Sequence, residues 1–281
     1  MKFDLHLHTT ASDGRLSPED VVQTAAQLGL AVISITDHDS VDGIAPALKA
    51  AENHPPLQVI PGVECSTDVT RGEVHVLGYF IDHNNPELGI KLADFRNSRN
   101  VRAQKMIDKL ATMGINIEWS RVKDIAGAGS VGRPHIAQAM LEKGYVPSLR
   151  EAFNRYIGRE APAYVEREKM TPEEVVQLIT RVGGLAVLAH PGDIDDLEHL
   201  IPRLQRVGLV GMEVYYNNYP MSTTQHLASL AHKHALVATG GSDFHGMDNA
   251  TETPIGGVAI PRENIERLFA LNEQKGRLPT G

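Results

Sequence analysis

Short apolar runs that finish in histidine or a carboxylate recur along this 281-residue chain, and they restrict its fold more than any other feature. The first, residues 3–8, reads Phe-Asp-Leu-His-Leu-His and is followed by Asp13. Side chains alternate along a strand, so His6 and His8 are expected on one face and Leu5 and Leu7 on the other. Two imidazoles spaced about 7 Å along a strand can converge on one cation, or on two adjacent ones. Residues 31–37 lead into Asp37, His38 and Asp39, and residues 58–64 end on Glu64. Residues 73–80 carry His75, residues 185–190 end on His190, and residues 236–240 precede Asp243 and His245. Further strand candidates are 209–215 and 257–260.

Helical stretches separate these runs. Residues 17–28 offer Ser17 as N-cap and Pro18 in the first turn, and 44–51, 172–182 and 223–234 show the same apolar spacing. Strand alternating with helix implies a parallel sheet covered by helices. Seven or eight such units predict an α/β fold closed, or nearly closed, into a barrel. In a barrel the carboxyl ends of the strands surround one mouth, so His6, His8, Asp13, His38, Glu64, His75, His190, Asp243 and His245 are expected to converge. One ion takes about four to six ligands. Nine suit two or three divalent ions with Glu64 as a bridge. Asp4 is expected to orient the first imidazoles from the same face, and Asp37 and Asp39 to do so for His38.

From 100 to 168 no strand pattern is visible, which predicts an inserted helical subdomain between barrel segments 1–99 and 169–281. This stretch carries 11 Lys and Arg against 8 Asp and Glu, whereas the remainder carries 16 against 27. A basic cap over an acidic, metal-loading body suits an anionic substrate. A hydrophobic content of 42% with 22% charged residues is that of a globular protein. Cys65 is the single cysteine, which excludes an intrachain disulfide and a thiolate-rich zinc site. The longest apolar run, 28–35, is too short to span a bilayer, and no leader precedes the first strand, so a cytoplasmic location without membrane association is expected. No obligatory protein partner is evident. A net charge of −8 disfavours a purely nucleic-acid-binding module.

The order of the motifs resembles the polymerase and histidinol phosphatase (PHP) family of phosphoesterases. The resemblance rests on His-Leu-His at 6–8, Ser-Asp-Gly at 12–14, Thr-Asp-His-Asp at 36–39 and Gly-Val-Glu at 62–64. His75, Ala-His-Pro at 189–191 and Ser-Asp-Phe-His at 242–245 complete it. It implies a distorted (β/α)7 TIM-like barrel with a trinuclear centre, often loaded with manganese. A histidine and carboxylate set is compatible with manganese, zinc or iron. All nine positions that the family uses as ligands are filled.

The insertion narrows the resemblance. Gly-Arg-Pro-His-Ile-Ala at 132–137, Phe-Asn-Arg-Tyr-Ile-Gly-Arg at 153–159 and Pro-Ala-Tyr-Val at 162–165 look like the branch that removes the 3′-phosphate of nucleoside 3′,5′-bisphosphates. That branch includes 5′-to-3′ exoribonucleases acting on short RNA. Pro134 suits a first helical turn, whose free N–H groups attract anions, and Arg133 and Arg159 can grip phosphate oxygens bidentately. Ser130, His135 and Arg102 complete the expected substrate side. Arg102 belongs to a stripe with Arg96, Arg99, Lys105 and Lys109 on one helix face. Tyr156, Tyr164, Tyr215, Tyr216 and Tyr219 are candidates to stack on a base. The expected reaction is direct hydrolysis by hydroxide generated at the clustered cations, with the catalytic set His190, Asp243 and His245. A phosphatase for a small monoester such as histidinol phosphate, and a metal-dependent amidohydrolase, are the alternatives. Strand-end lysine, usual in the latter, is absent.

Overall fold

A computed structural model describes residues 1–68, 73–127, 131–166, 170–216, 219–247 and 252–276. The apolar runs form seven strands: β1 (Lys2–Leu7), β2 (Leu30–Ile35), β3 (Gln58–Asp68), β4 (Glu73–Tyr79), β5 (Leu185–Leu188), β6 (Leu209–Tyr216) and β7 (Val237–Gly241). They pair in sequence order into one sheet. The ends of β1 and β7 also meet: Asp243 N donates to His6 O at 3.0 Å, His8 N donates to Phe244 O at 3.0 Å, and Leu7 bridges Phe244. The sheet therefore nearly closes on itself, as the strand–helix alternation predicts. Gly241 makes this seam possible, because a Cβ there would lie 2.4 Å from His6 Cβ.

The all-parallel expectation fails at one strand. β4 pairs antiparallel with both β3 and β5, while the other neighbours are parallel. β3 and β4 are joined by a short connection, which allows a hairpin but no crossover helix. Residues 257–260 do not form a strand either; Ile260 instead packs among the buried side chains of the barrel.

Helices α1 (Pro18–Gln27) and α2 (Ile44–Ala51) follow β1 and β2, with Ser17 Oγ accepting from Asp20 N as the N-cap. Leu7, Ile33 and Ile35 pack with Val21, Val22 and Ala25 of α1 and Ala47 of α2. A separate cluster draws Phe3, Leu5, Val32, Ile60, Leu77, Tyr79, Val187 and Val237 together and fills the space the strands enclose. Leu5 and Leu7 thus belong to different clusters, although simple alternation puts them on one face. A register shift between Asp4 and Leu7 in the β1–β2 ladder accounts for this. Tyr79 OH donates to Leu5 O at 3.0 Å, tying β4 to β1 inside the cluster.

After β4, α3 (Pro86–Thr112) leads into the remaining helical segments, α4 (Trp119–Ala126), α5 (Arg133–Glu142), α6 (Leu149–Ala152) and a π-helical turn, Phe153–Ile157. The chain divides into two compact units, 1–90 with 170–281, and 91–169. The second unit has its own core, in which Met106, Leu110, Val122, Ile136, Met140 and Ile157 are fully buried. The first division, at Lys91, falls within α3. The first unit resumes with α7 (Pro172–Arg181), α8 (Leu197–Gln205), α9 (Met221–Lys233) and α10 (Arg262–Gly276). Among the described residues, no helix is long and apolar enough to cross a membrane.

Candidate metal centre

Every one of the nine expected side chains lies at the same mouth of the barrel. Glu64, fully buried within β3, is the hub. Its Oε2 lies 3.2 Å from His6 Nε2, 3.3 Å from His8 Nε2 and 3.0 Å from His38 Nδ1. Its Oε1 lies 2.7 Å from His75 Nδ1 and 3.0 Å from His190 Nε2. Asp243 Oδ1 lies 3.3 Å from His6 Nε2 and 3.0 Å from His8 Nε2. Asp13 reaches His8 Nδ1 at 3.7 Å, His38 Nε2 at 4.0 Å and His245 Nε2 at 3.5 Å. His75 joins from the start of β4 rather than from a carboxyl end. Because β4 runs antiparallel, its first residues lie beside the last residues of β3, as the Ser66–His75 pairing records.

Several of these atoms are buried without a hydrogen-bond partner among the described residues: His6 Nε2, both nitrogens of His8, His38 Nδ1, Glu64 Oε2 and Asp243 Oδ1. Buried polar atoms are rarely left so, and these all face one another. The donor set fits divalent cations. Three overlapping groups have ligand atoms within 4.8 Å of each other: His8, Asp13, His38 and His245; His6, His8, Glu64 and Asp243; and His38, Glu64 and His75. Imidazole and carboxylate without thiolate suit manganese, iron or zinc.

The electrostatics are those of a strongly coupled cluster. Burial pushes Glu64 up, but the imidazoles of His38, His75 and His6 outweigh it and hold the carboxyl well below its usual range. Burial likewise raises Asp243, and His6 and His8 reverse the effect. For His8, burial favours the neutral ring, yet Asp243 and Glu64 lift it to about 10. The backbone is strained where the strands end. Asp39, His190 and Asp243 have φ of 50°, 26° and 53°, a region that residues other than glycine rarely occupy.

Two outer contacts differ from expectation. Asp4 does not orient the His6 ring. It accepts from Ser242 N at 2.9 Å, Ser242 Oγ at 2.6 Å, Gly256 N at 2.7 Å and the main-chain His6 N at 3.3 Å, and so fixes the turn that presents Asp243. Asp37 accepts from Thr9 N, Thr9 Oγ1 and Ser12 Oγ instead of serving His38, and thereby holds the loop that carries Asp13. Asp39 accepts from Ser66 N at 3.0 Å. The carboxylate on the His6 ring is Glu213 of β6, at 3.1 Å from Nδ1. A glutamate flanked by Met212 and Val214 within an apolar run was the signal available for it in the sequence. Tyr216 OH donates to Asp243 Oδ2 at 2.6 Å, and Tyr219 OH accepts from Gly192 N at 2.7 Å, in the turn that follows His190.

Within the second unit, Arg133 begins α5. Its guanidinium lies 5.7 Å from the Phe153 ring and 5.9 Å from that of Tyr164, while Arg102 lies 5.2 Å from the same Tyr164 ring. Arg102 Nε also donates to Val165 O at 2.9 Å. His135 Nδ1 accepts from Gly132 N at 2.9 Å, closing the first turn of the helix. Arg159 lies 3.8 Å from Glu166. Ser130 falls outside the described residues.

Residues 4–156 match the PHP domain. The chain belongs to the PHP family. It is similar to the 5′-3′ exoribonuclease Rnm of Escherichia coli strain K12, 36% identical over 86% of this chain and 85% of that protein. It is also 34% identical to the 3′,5′-nucleoside bisphosphate phosphatase of Chromobacterium violaceum, over 86% of this chain and 87% of the other. Among solved structures, a metal-dependent phosphoesterase from Bifidobacterium adolescentis superposes with a TM-score of 0.84 at 28% identity, covering 95% of each chain. This PHP protein is a metal-dependent phosphoester hydrolase.

Proposed function

We propose that this PHP protein hydrolyses the 3′-phosphate of nucleoside 3′,5′-bisphosphates and also degrades short 5′-phosphorylated RNA from its 5′ end. The observation that carries this reading is the placing of Arg102 and Arg133 on one aromatic ring, Tyr164, with Arg133 at the N-terminus of α5. Guanidinium groups held against an aromatic face form a fixed platform for phosphate and for a stacked base, and helix N–H groups add to it. Arg159 and His135 extend the grip. The names of the relatives support the same substrate class.

The nine side chains of the barrel mouth would hold two or three divalent ions, with Glu64 as the common acceptor, and manganese suits the donor set. When bound, such ions acidify water and neutralise charge on phosphoryl oxygens. The protein contributes position: Glu64 and Asp243 are rigidly held, and phosphoryl transfer depends on placement and electrostatics. His190 and His245 have side chains 25% and 18% exposed, against 0% for His6 and His8. Asp13, 21% exposed, lies on the same open side of the mouth.

The test incubates manganese-loaded protein with a nucleoside 3′,5′-bisphosphate, a simple phosphomonoester and a short 5′-phosphorylated RNA, and measures phosphate and mononucleotide. The bisphosphate should be turned over most efficiently, and Arg133→Ala should lower its kcat/KM by about 10- to 100-fold, the value of a charge-assisted phosphate contact. Equal turnover of the simple monoester, or no effect of Arg133→Ala, rejects the assignment.

A further inference from the structure

β6 is the strand that contributes none of the nine clustered side chains, yet it touches three of them. Glu213, fully buried, accepts from His6 Nδ1 at 3.1 and 3.2 Å and from His190 N at 2.8 Å. Three residues on, Tyr216 OH donates to Asp243 Oδ2 at 2.6 Å. Residues separated by three positions on a regular strand point to opposite faces. Here the ladder to β7 slips between Glu213 and Tyr215: Glu213 pairs with Thr239 and Tyr215 with Gly240, leaving Val214 as an extra residue. Such a bulge re-aims the side chains that follow it, and it turns Tyr216 to the side occupied by Glu213.

We propose that Glu213 and Tyr216 are the positioning residues of the metal centre, brought to one face by the Val214 bulge. The inference rests on the reading of the nine side chains as ligands. A carboxylate can only accept, so the contact with Glu213 places a proton on His6 Nδ1 and leaves Nε2 as the lone-pair donor. Nε2 is the atom that lies near both Glu64 Oε2 and Asp243 Oδ1. The second contact, to the amide of His190, holds a residue at φ 26° whose ring reaches the other oxygen of Glu64. Glu213 therefore sets two ligands on opposite oxygens of the bridging carboxylate. Tyr216 occupies Asp243 Oδ2 and so leaves Oδ1 to face the centre.

The test compares wild-type, Glu213→Gln and Tyr216→Phe proteins. Metal stoichiometry and affinity are measured by competition with a chromophoric chelator, and thermal unfolding is followed in excess EDTA. An amide keeps the shape of Glu213 but presents an N–H₂ group toward one of its two partners. Glu213→Gln should lose about 10- to 100-fold in metal affinity, the usual effect of removing such an outer partner, with the unfolding temperature in EDTA little changed. Tyr216→Phe should lose less. Nitrogen-15 spectra of the zinc-loaded wild type should show His6 protonated at Nδ1, a readout that needs no variant to fold. Unchanged affinity in Glu213→Gln, or zinc on His6 Nδ1, overturns the proposal while leaving the metal centre standing. A wild type that binds no divalent ion overturns both.

Discussion

Gly241 is where the closure of the barrel and the geometry of the mouth meet. A methyl group there would sit 2.4 Å from His6 Cβ, 2.6 Å from His6 N and 2.9 Å from His6 Cα. Carbon atoms in contact need about 3.5–4 Å, so β1 and β7 must part by roughly 1 Å. Neither strand can absorb this by rotating a side chain, because the obstacle is largely backbone. Overpacking of this kind costs about 1–3 kcal/mol, and at about 2–4 °C per kcal/mol the unfolding temperature should drop by about 2–12 °C. His6 Nε2 moves with its backbone away from Glu64 and Asp243, so metal affinity should fall too. Gly89 provides the matched control. It is exposed in α3, and a Cβ there meets nothing within 4 Å. Gly89→Ala should raise stability by about 0.5–1 kcal/mol through helix propensity alone. Both variants are measured by thermal unfolding in EDTA and by metal titration. If Gly241→Ala unfolds with the wild type and binds metal as tightly, the account of the seam is wrong.

Four further outcomes follow, three from the barrel mouth and one from a helix cap. Glu64→Gln removes the charge from the hub of five imidazoles, and equilibrium dialysis should show at least one fewer bound divalent ion per chain. In the metal-free protein His8 is held up to about 10, so its contribution to stability is complete below about pH 6.5 and is lost as the pH rises toward 10. Glu64 and Asp243 are held low, so their contribution is lost in acid, below about pH 4. Metal must displace the His8 proton, so titration calorimetry in buffers of different ionisation enthalpy should record proton release and an affinity that increases with pH. Thr171 caps α7, with its Oγ1 accepting from Glu174 N and its own N donating to Glu174 Oε2. Thr171→Ala should cost about 1 kcal/mol in urea unfolding without altering metal binding.

The convergence of the nine side chains was legible in the sequence because strands deliver their ends to one mouth. His6, His8, Asp13, His38, Glu64, His190, Asp243 and His245 each lie on or just after an apolar run, and the alternation with helices is enough to gather them. His75 was found for an incomplete reason: nothing local marks β4 as antiparallel, and its place in the mouth depends on pairing with β3. The outer contacts were harder to read. Asp4 shares a strand with His6, yet three donors from elsewhere, Ser242 N, Ser242 Oγ and Gly256 N, direct its carboxylate to the Ser242 turn. Glu213 lies 207 residues from its imidazole. Tyr216 reaches Asp243 only because of a bulge, and bulges leave no periodic trace in a strand pattern. Local periodicity thus reveals which residues face inward, whereas what each of them touches depends on register.

We propose a multinuclear centre organised by Glu64. Anomalous diffraction from manganese-soaked crystals tests it directly. Two or three peaks should surround the Glu64 carboxylate, with neighbours about 3.5–4 Å apart. A single peak, or peaks that do not touch Glu64, would contradict it.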